Sequence, residues 1–261
     1  MVPLSFRGLE FFERRRFFRA SRTSHLPMHE TRKSEAAALQ ETAGRSGAYE
    51  DPWEAAYARF ETPEEEIRKF SRRLRKLGAK KWPHDSQIVE LFCGRGNGLH
   101  ALWGLGFKKI EGADLSAAQL ARYLGPAETH QCDCQHLPFS DQSKDVVIVQ
   151  GGLHHLPTLP DSLEQTLREM HRVLRKTGRV MIVEPWLTPF LRIVHATCEN
   201  PIARRVSNKI DAMATMIHYE RATYEQWLAH PELILMVTRN YFAPAHESFA
   251  WGKWRFTGCP R

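Results

Sequence analysis

Three glycines at alternate positions, Gly94, Gly96 and Gly98, interrupt the apolar run "IVELFCGRGNG". Glycine lets a chain turn sharply and lets a ligand approach the backbone with no Cβ in the way. Polar residues mark the ends of successive apolar runs around this loop: Glu90 within the first, Asp114 after the second, Asp133 after the third and Gln150 after the fourth. Asp114 follows Glu90 by 24 positions, a spacing suited to accepting hydrogen bonds from a ribose diol. Asp133 is placed to accept from an exocyclic adenine amine. A dinucleotide fingerprint reads G-x-G-x-x-G and rests a pyrophosphate on the following helix. Here the glycines run G-x-G-x-G, the next position is Leu99, and no Gly-Lys-Ser/Thr phosphate loop is present. A ring of carboxylates without a lysine opposes a diphosphate. It suits a nucleoside bearing positive charge, as S-adenosylmethionine does through its sulfonium and ammonium groups.

Further groups capable of chemistry follow. His154 and His155 come after the fourth run, where a neutral imidazole could take a proton from an acceptor at pH 7. A helix-entry role is the structural alternative for this pair. His195, His218, Tyr219 and Glu220 fall in a later helical stretch, and each singly reads as a packing or surface residue. Trp186, Trp251 and Trp254 are candidates for the wall of an apolar pocket. On a continuous strand, side chains three apart point to opposite faces, so at most one of Trp251 and Trp254 can serve. Cys93 and Cys134 flank the loop region without the partners of a nucleophile or a metal site.

These residues need a scaffold that gathers strand ends, and the periodicity supplies one. From residue 87 onward, β-rich runs at 87–92, 109–113, 128–132, 145–150 and 179–184 alternate with helical patterns at 98–105, 117–124 and 161–174. This alternation predicts a parallel sheet with helices on its faces, and runs such as "VVIV" and "VMIV" fit a sheet covered on both sides. Residues 186–222 read as helical, a long insertion of the kind that serves as a lid. Two further strands, 233–242 and 248–257, are expected to close the sheet edge as an antiparallel pair. Upstream, Thr62, Pro63 and Glu65 form a helix start with a capping box, and Ile67, Phe70, Leu74 and Leu77 recur at helical spacing before Gly78. The expected class is α/β, a Rossmann-like doubly wound sheet of seven mostly parallel strands with an antiparallel last strand and a helical lid.

Composition limits the function classes. The chain has 261 residues, 42% of them hydrophobic, enough for one substantial core and near the upper end for a single domain. The expected division is a flexible basic leader over 1–48 and one domain over 49–261. No apolar run reaches the roughly 20 residues of a membrane helix. Five cysteines without a framework spacing read as reduced thiols, and a soluble cytoplasmic protein is expected. The net charge of +7 is concentrated in residues 1–33 and 64–81, each of which holds eight basic and three acidic side chains. The second cluster reads as the solvated face of a helix, so the charge argues against nucleic acid as the partner.

The stretches "VELFCGRGNG", "IEGADLS", "CDCQHLPFSDQSKDVVIVQGGLHHL" and "LRKTGRVMIVEP" resemble, in order, the motifs of class I S-adenosylmethionine-dependent methyltransferases. They are most similar to the small-molecule branch that includes ubiquinone and menaquinone methyltransferases. The resemblance covers about residues 87–185. It implies that the loop from Cys93 through Gly94 to Gly96 wraps the methionine part of S-adenosyl-L-methionine. It also implies that Asp114 binds the ribose, that Asp133 and Cys134 flank the adenine, and that Gln150 lies beside the methyl donor, with Glu90 and Leu115 completing the expected cofactor-binding set. The family pattern is acid-x-Gly-x-Gly-x-Gly, and Phe92 stands where its first glycine belongs. Acid-Leu-Phe-Cys/Ala-Gly is instead similar to the loop of DNA cytosine and some RNA methyltransferases. Those enzymes carry Pro-Cys or Asn/Asp-Pro-Pro-aromatic after the fourth strand, and "VQGGLHHLPTLP" has neither. The expected activity is methyl transfer to a small, partly apolar molecule. The alternatives are a nucleic-acid methyltransferase, a nicotinamide-dependent oxidoreductase and a cofactor-binding protein without turnover. No motif assigns an oligomeric state.

Overall fold

A computed structural model describes residues 52–261; the expected leader, 1–48, lies outside the described residues. Five parallel strands form the body of one sheet: β1 (Ile88–Leu91), β2 (Ile110–Asp114), β3 (Glu128–Gln131), β4 (Lys144–Gln150) and β5 (Leu174–Pro185). Two antiparallel additions, β6 (Phe242–Ala250) and β7 (Lys253–Pro260), complete the order β3-β2-β1-β4-β5-β7-β6. The order reverses between β1 and β4, the place where an open α/β sheet leaves a crevice beyond its strand ends.

Side chains along each central strand are buried on both faces and alternate between two core clusters with the period of two that a pleated sheet imposes. Val89, Leu91, Val147, Val149, Val180 and Ile182 join one core cluster, whereas Ile88, Val146, Ile148 and Met181 join the other. The first cluster packs on α5 (Asp161–Val173) through Leu163, Leu167 and Met170. The second packs on α2 (Pro63–Lys76) and α3 (Asn97–Gly104) through Phe70, Leu74, Ala101 and Leu102. Helix α2 begins as its sequence dictates, with Thr62 and Glu65 exchanging the two bonds of a capping box. Before it lies α1 (Pro52–Phe60), and after β2 comes the single turn α4 (Ala117–Leu120) in place of the longer helix expected over 117–124.

The stretch 186–222 is helical, in three segments: α6 (Pro189–Glu199), α7 (Pro201–Val206) and α8 (Asn208–Tyr219). Thr188, Asn200 and Ser207 cap them, and Pro189 and Pro201 occupy first turns, where a missing N–H costs nothing. Two strand expectations need correction. Residues 233–242 are not a strand: α9 (Arg221–Ala229) is followed by α10 (Pro231–Tyr241). The β-favouring run "LILMV" mimics a strand, but Pro231 starts a helix, and Ile234, Val237 and Thr238 bury one face at i, i+3 and i+4. The expected strand 248–257 spans the end of β6, a two-residue turn at Trp251 and Gly252, and half of β7. Both turn residues have positive φ, 54° and 70°, as a tight hairpin of the right twist requires.

Candidate functional site

The loop leaving β1 turns at once. Phe92 has φ 55°, Gly94 51° and Gly96 78°, so the chain passes repeatedly through the left-handed region. Gly98, the third alternate glycine, has another reason: a Cβ there would overlap the Glu90 carboxylate, which lies against the start of α3. Phe92 occupies a backbone position that glycine would take without strain. It compensates by packing its ring against the core cluster and against Gly152, where a Cβ would overlap that ring.

Around this loop opens a cavity of about 1060 Å³. Glu90, Cys93, Gly94, Asp114, Gln150, His154 and His155 all line it. Asp114 accepts hydrogen bonds from the Gly94 amide at 2.7 Å and the Ser116 amide at 2.9 Å, which ties the glycine loop to the end of β2. Each carboxylate oxygen keeps a second lone pair for a ligand hydroxyl. Of the remaining expected contacts, Gly96 packs beneath Tyr123. Leu115 is exposed, Asp133 is exposed and accepts from Gln135, and Cys134 is buried. Neither these three, which lie just beyond the ends of β2 and β3, nor Gly96 is among the cavity-lining residues.

Glu90 is 2% exposed. Arg73 Nη1 donates to Gln150 Oε1 at 2.9 Å, and Gln150 Nε2 donates to Glu90 Oε1 at 2.9 Å. Glu90 Oε2 is buried with no hydrogen-bond partner among the described residues. Burial pushes this carboxyl up to about 7, with the Gln150 amide opposing the rise. A half-satisfied buried carboxyl at a cavity wall calls for a donor or a cation from a ligand. Nearby, Glu66 of α2 accepts from Tyr57 and, at 2.6 Å, from Asn97, with Arg95 stacked 4.7 Å over the Tyr57 ring. Burial, with Arg255 adding a like charge, lowers Arg73 to about 10.

The opposite wall belongs to the histidine pair and the inserted helices. His154 Nδ1 lies 2.7 Å from Glu184 Oε2, and Glu184 Oε1 accepts from the Gly152 and Leu153 amides at 2.8 and 2.9 Å. Burial disfavours a charged His154, but the Glu184 and Glu220 carboxylates outweigh it and raise its pKa. Burial, with His154 beside it, lowers His155 to about 4. Apolar side chains face the same space from above: Phe190, Leu191 and Val194 of α6, and Met213, Met216 and Ile217 of α8. Trp251 joins them from the hairpin turn, while Trp254 is fully buried against Trp186 and Phe256. His195 bonds the Tyr224 hydroxyl at 3.0 Å and, like His218, does not line the cavity.

Sequence reasoning missed the contribution of α2, whose basic residues were expected in solvent. Lys69 pairs with Glu61 and lines the cavity, and Arg73 reaches Gln150. The available signal was register: Glu66 and Arg73 share the helical stripe of Phe70 and Leu74. Glu184 was also missed, although it closes the fifth apolar run as Glu90 nearly closes the first.

A family profile described as "Methyltransferase domain" matches residues 89–182. Among curated proteins, the chain is 36% identical over 77 residues to the demethylmenaquinone methyltransferase of Lactobacillus johnsonii, which covers 30% of this chain and 27% of that one. It is 27% identical over 150 residues to the ubiquinone/menaquinone biosynthesis C-methyltransferase UbiE of Rubrivivax gelatinosus, covering 53% and 57%. The matched region thus spans from about a quarter to somewhat over half of these relatives' lengths. The PH0226 protein of Pyrococcus horikoshii superposes with a TM-score of 0.59 at 16% identity, covering 82% of this chain and 100% of that one, which shows a shared fold. Motif order, strand order and sequence match agree: residues 89–182 are similar to a class I S-adenosylmethionine-dependent methyltransferase domain, with curated relatives in the UbiE-like branch.

Proposed function

We propose that this protein transfers a methyl group from S-adenosylmethionine to a small, partly apolar molecule. The observation that carries the reading is the buried Glu90 carboxyl, whose Oε2 has no hydrogen-bond partner among the described residues and which stands at the wall of a cavity that also presents Asp114. An ammonium would complete Glu90, and a ribose diol would use the free lone pairs of Asp114. When bound, the donor supplies a methyl carbon already activated by its sulfonium. The chain's own work is alignment, for which orientation supplies roughly 7 to 11 kcal/mol. Asp114 and the glycine loop fix the nucleoside, Glu90 and Gln150 fix the methionine end, and the apolar side chains of α6 and α8 exclude water and hold the acceptor. In this reading 186–222 is the acceptor cover, and Leu115, Asp133 and Cys134 border the adenine. His154 and His155 act on the acceptor from the turn after β4.

Methyl-labelled donor incubated with the protein and a cell extract tests this. Label is expected in the small-molecule fraction and is expected to survive nuclease treatment. Label confined to nuclease-sensitive material would contradict the acceptor class. Replacing Asp114 by alanine removes acceptor oxygens worth about 1.5 to 3 kcal/mol per charged hydrogen bond. Affinity for S-adenosylhomocysteine should fall about 100-fold while the circular dichroism spectrum stays the same; unchanged affinity would misplace the ribose contact.

A further inference from the structure

Three side chains at the cavity wall converge, with both histidines at ion-pair distance from Glu220. His154 Nε2 lies 3.8 Å from Glu220 Oε2, and His155 Nε2 lies 3.8 Å from Glu220 Oε1. Both separations exceed a hydrogen bond. The three ligand atoms all fall within 4.8 Å of one another. An ion about 2.1 Å from each of its ligands sets neighbouring ligands about 3.4 Å apart in tetrahedral geometry, so the three atoms, now within 4.8 Å of one another, would draw together to seat one. The three come from two elements: the short turn Leu153–His155 after β4, and Glu220 at the junction of α8 and α9.

The orientation of His154 is the second, independent observation. Its Nδ1 is held by Glu184, a fully buried carboxylate locked by two backbone amides, which leaves Nε2 aimed at Glu220. A carboxylate behind a ligating imidazole fixes the tautomer and ring orientation in metal sites. We propose that His154, His155 and Glu220 form a divalent transition-metal site, with Glu184 as the positioning residue behind His154. Two imidazoles and one carboxylate with open positions select zinc, iron(II) or cobalt over the all-oxygen preference of magnesium and calcium. The site faces the cavity, so its open positions meet the acceptor and the cation can hold an acceptor oxygen. It would also tie the helical insertion to the end of β4. The other cluster of similar composition among the described residues, Glu111, Glu128 and His130, is already committed: Glu111 bonds both Lys144 and His130.

Titration of the chelator-stripped full chain with Zn²⁺ and Co²⁺ tests this with no donor present, so its outcome is independent of the proposed transfer reaction. One equivalent of Zn²⁺ should bind saturably, and Co²⁺ should give a visible d–d absorption band. His155→Ala and Glu220→Gln, both at cavity-facing positions with partial exposure, should each lower Zn²⁺ affinity at least about tenfold, and Glu184→Gln should lower it by about 10- to 100-fold. Glu128→Gln should leave it unchanged. No saturable binding would overturn the proposal. So would affinity unchanged in His155→Ala and Glu220→Gln, or affinity lost only in Glu128→Gln.

Discussion

Phe92 is where residue type and backbone disagree most sharply. A bulky side chain in the left-handed region carries about 1 to 3 kcal/mol of strain, and here its ring packing against Gly152 and the core offsets it. Phe92→Ala loses the packing and keeps the strain, whereas Phe92→Gly loses both. The glycine variant should therefore be more stable than the alanine variant by about 1 kcal/mol, the reverse of the usual strand order. Urea denaturation decides it; an alanine variant at least as stable would mean that the turn is not left-handed. Glu90 gives a pH prediction. Its folded-state pKa of about 7 lies above the unfolded carboxyl value, so its contribution to stability is full below about pH 4.5 and is lost as pH rises through 7. Between pH 5 and 8 the natural protein should lose on the order of 3 kcal/mol relative to Glu90→Gln; parallel profiles for the two proteins would refute the shift. The glycines, Glu90, Asp114 and Gln150 were legible in sequence because strand ends and loop spacing place them. Arg73 and Glu184 were not, since their roles depend on which distant partner each meets.

At the scale of elements, the parallel strands β1 to β5 followed from runs of β-branched residues between helical patterns. The C-terminal segment did not, because "LILMV" satisfies both periods over five residues, and only the partner surface chooses between them. Thr188 shows how one side chain joins two elements. Its Oγ1 accepts from Leu191 N at 3.2 Å, capping α6, and from Gly252 N at 3.0 Å, holding the hairpin turn that carries Trp251. Thr188→Ala should cost about 1 to 2 kcal/mol, and Thr188→Ser should restore most of it, as thermal unfolding can measure. Equal losses in the two variants would mean that the methyl group, and not the oxygen, matters.

For the whole molecule, charge misled and topology did not. The basic helix α2 looked like a solvated surface, yet it closes one side of the cavity, while the reversal of strand order between β1 and β4 sets the glycine loop at the crevice. No helix among the described residues is long and apolar enough to cross a membrane. The cavity is lined by carboxylates, Glu90 and Asp114 among them, and by apolar side chains such as Phe190 and Met213, a combination that suits the proposed transfer from a cationic nucleoside to a partly apolar acceptor. Calorimetric titration of the full chain with S-adenosylhomocysteine and, separately, with NADH tests that claim most directly. Saturable binding of S-adenosylhomocysteine at one per chain with no heat from NADH is the predicted result; binding of NADH without binding of S-adenosylhomocysteine would contradict it.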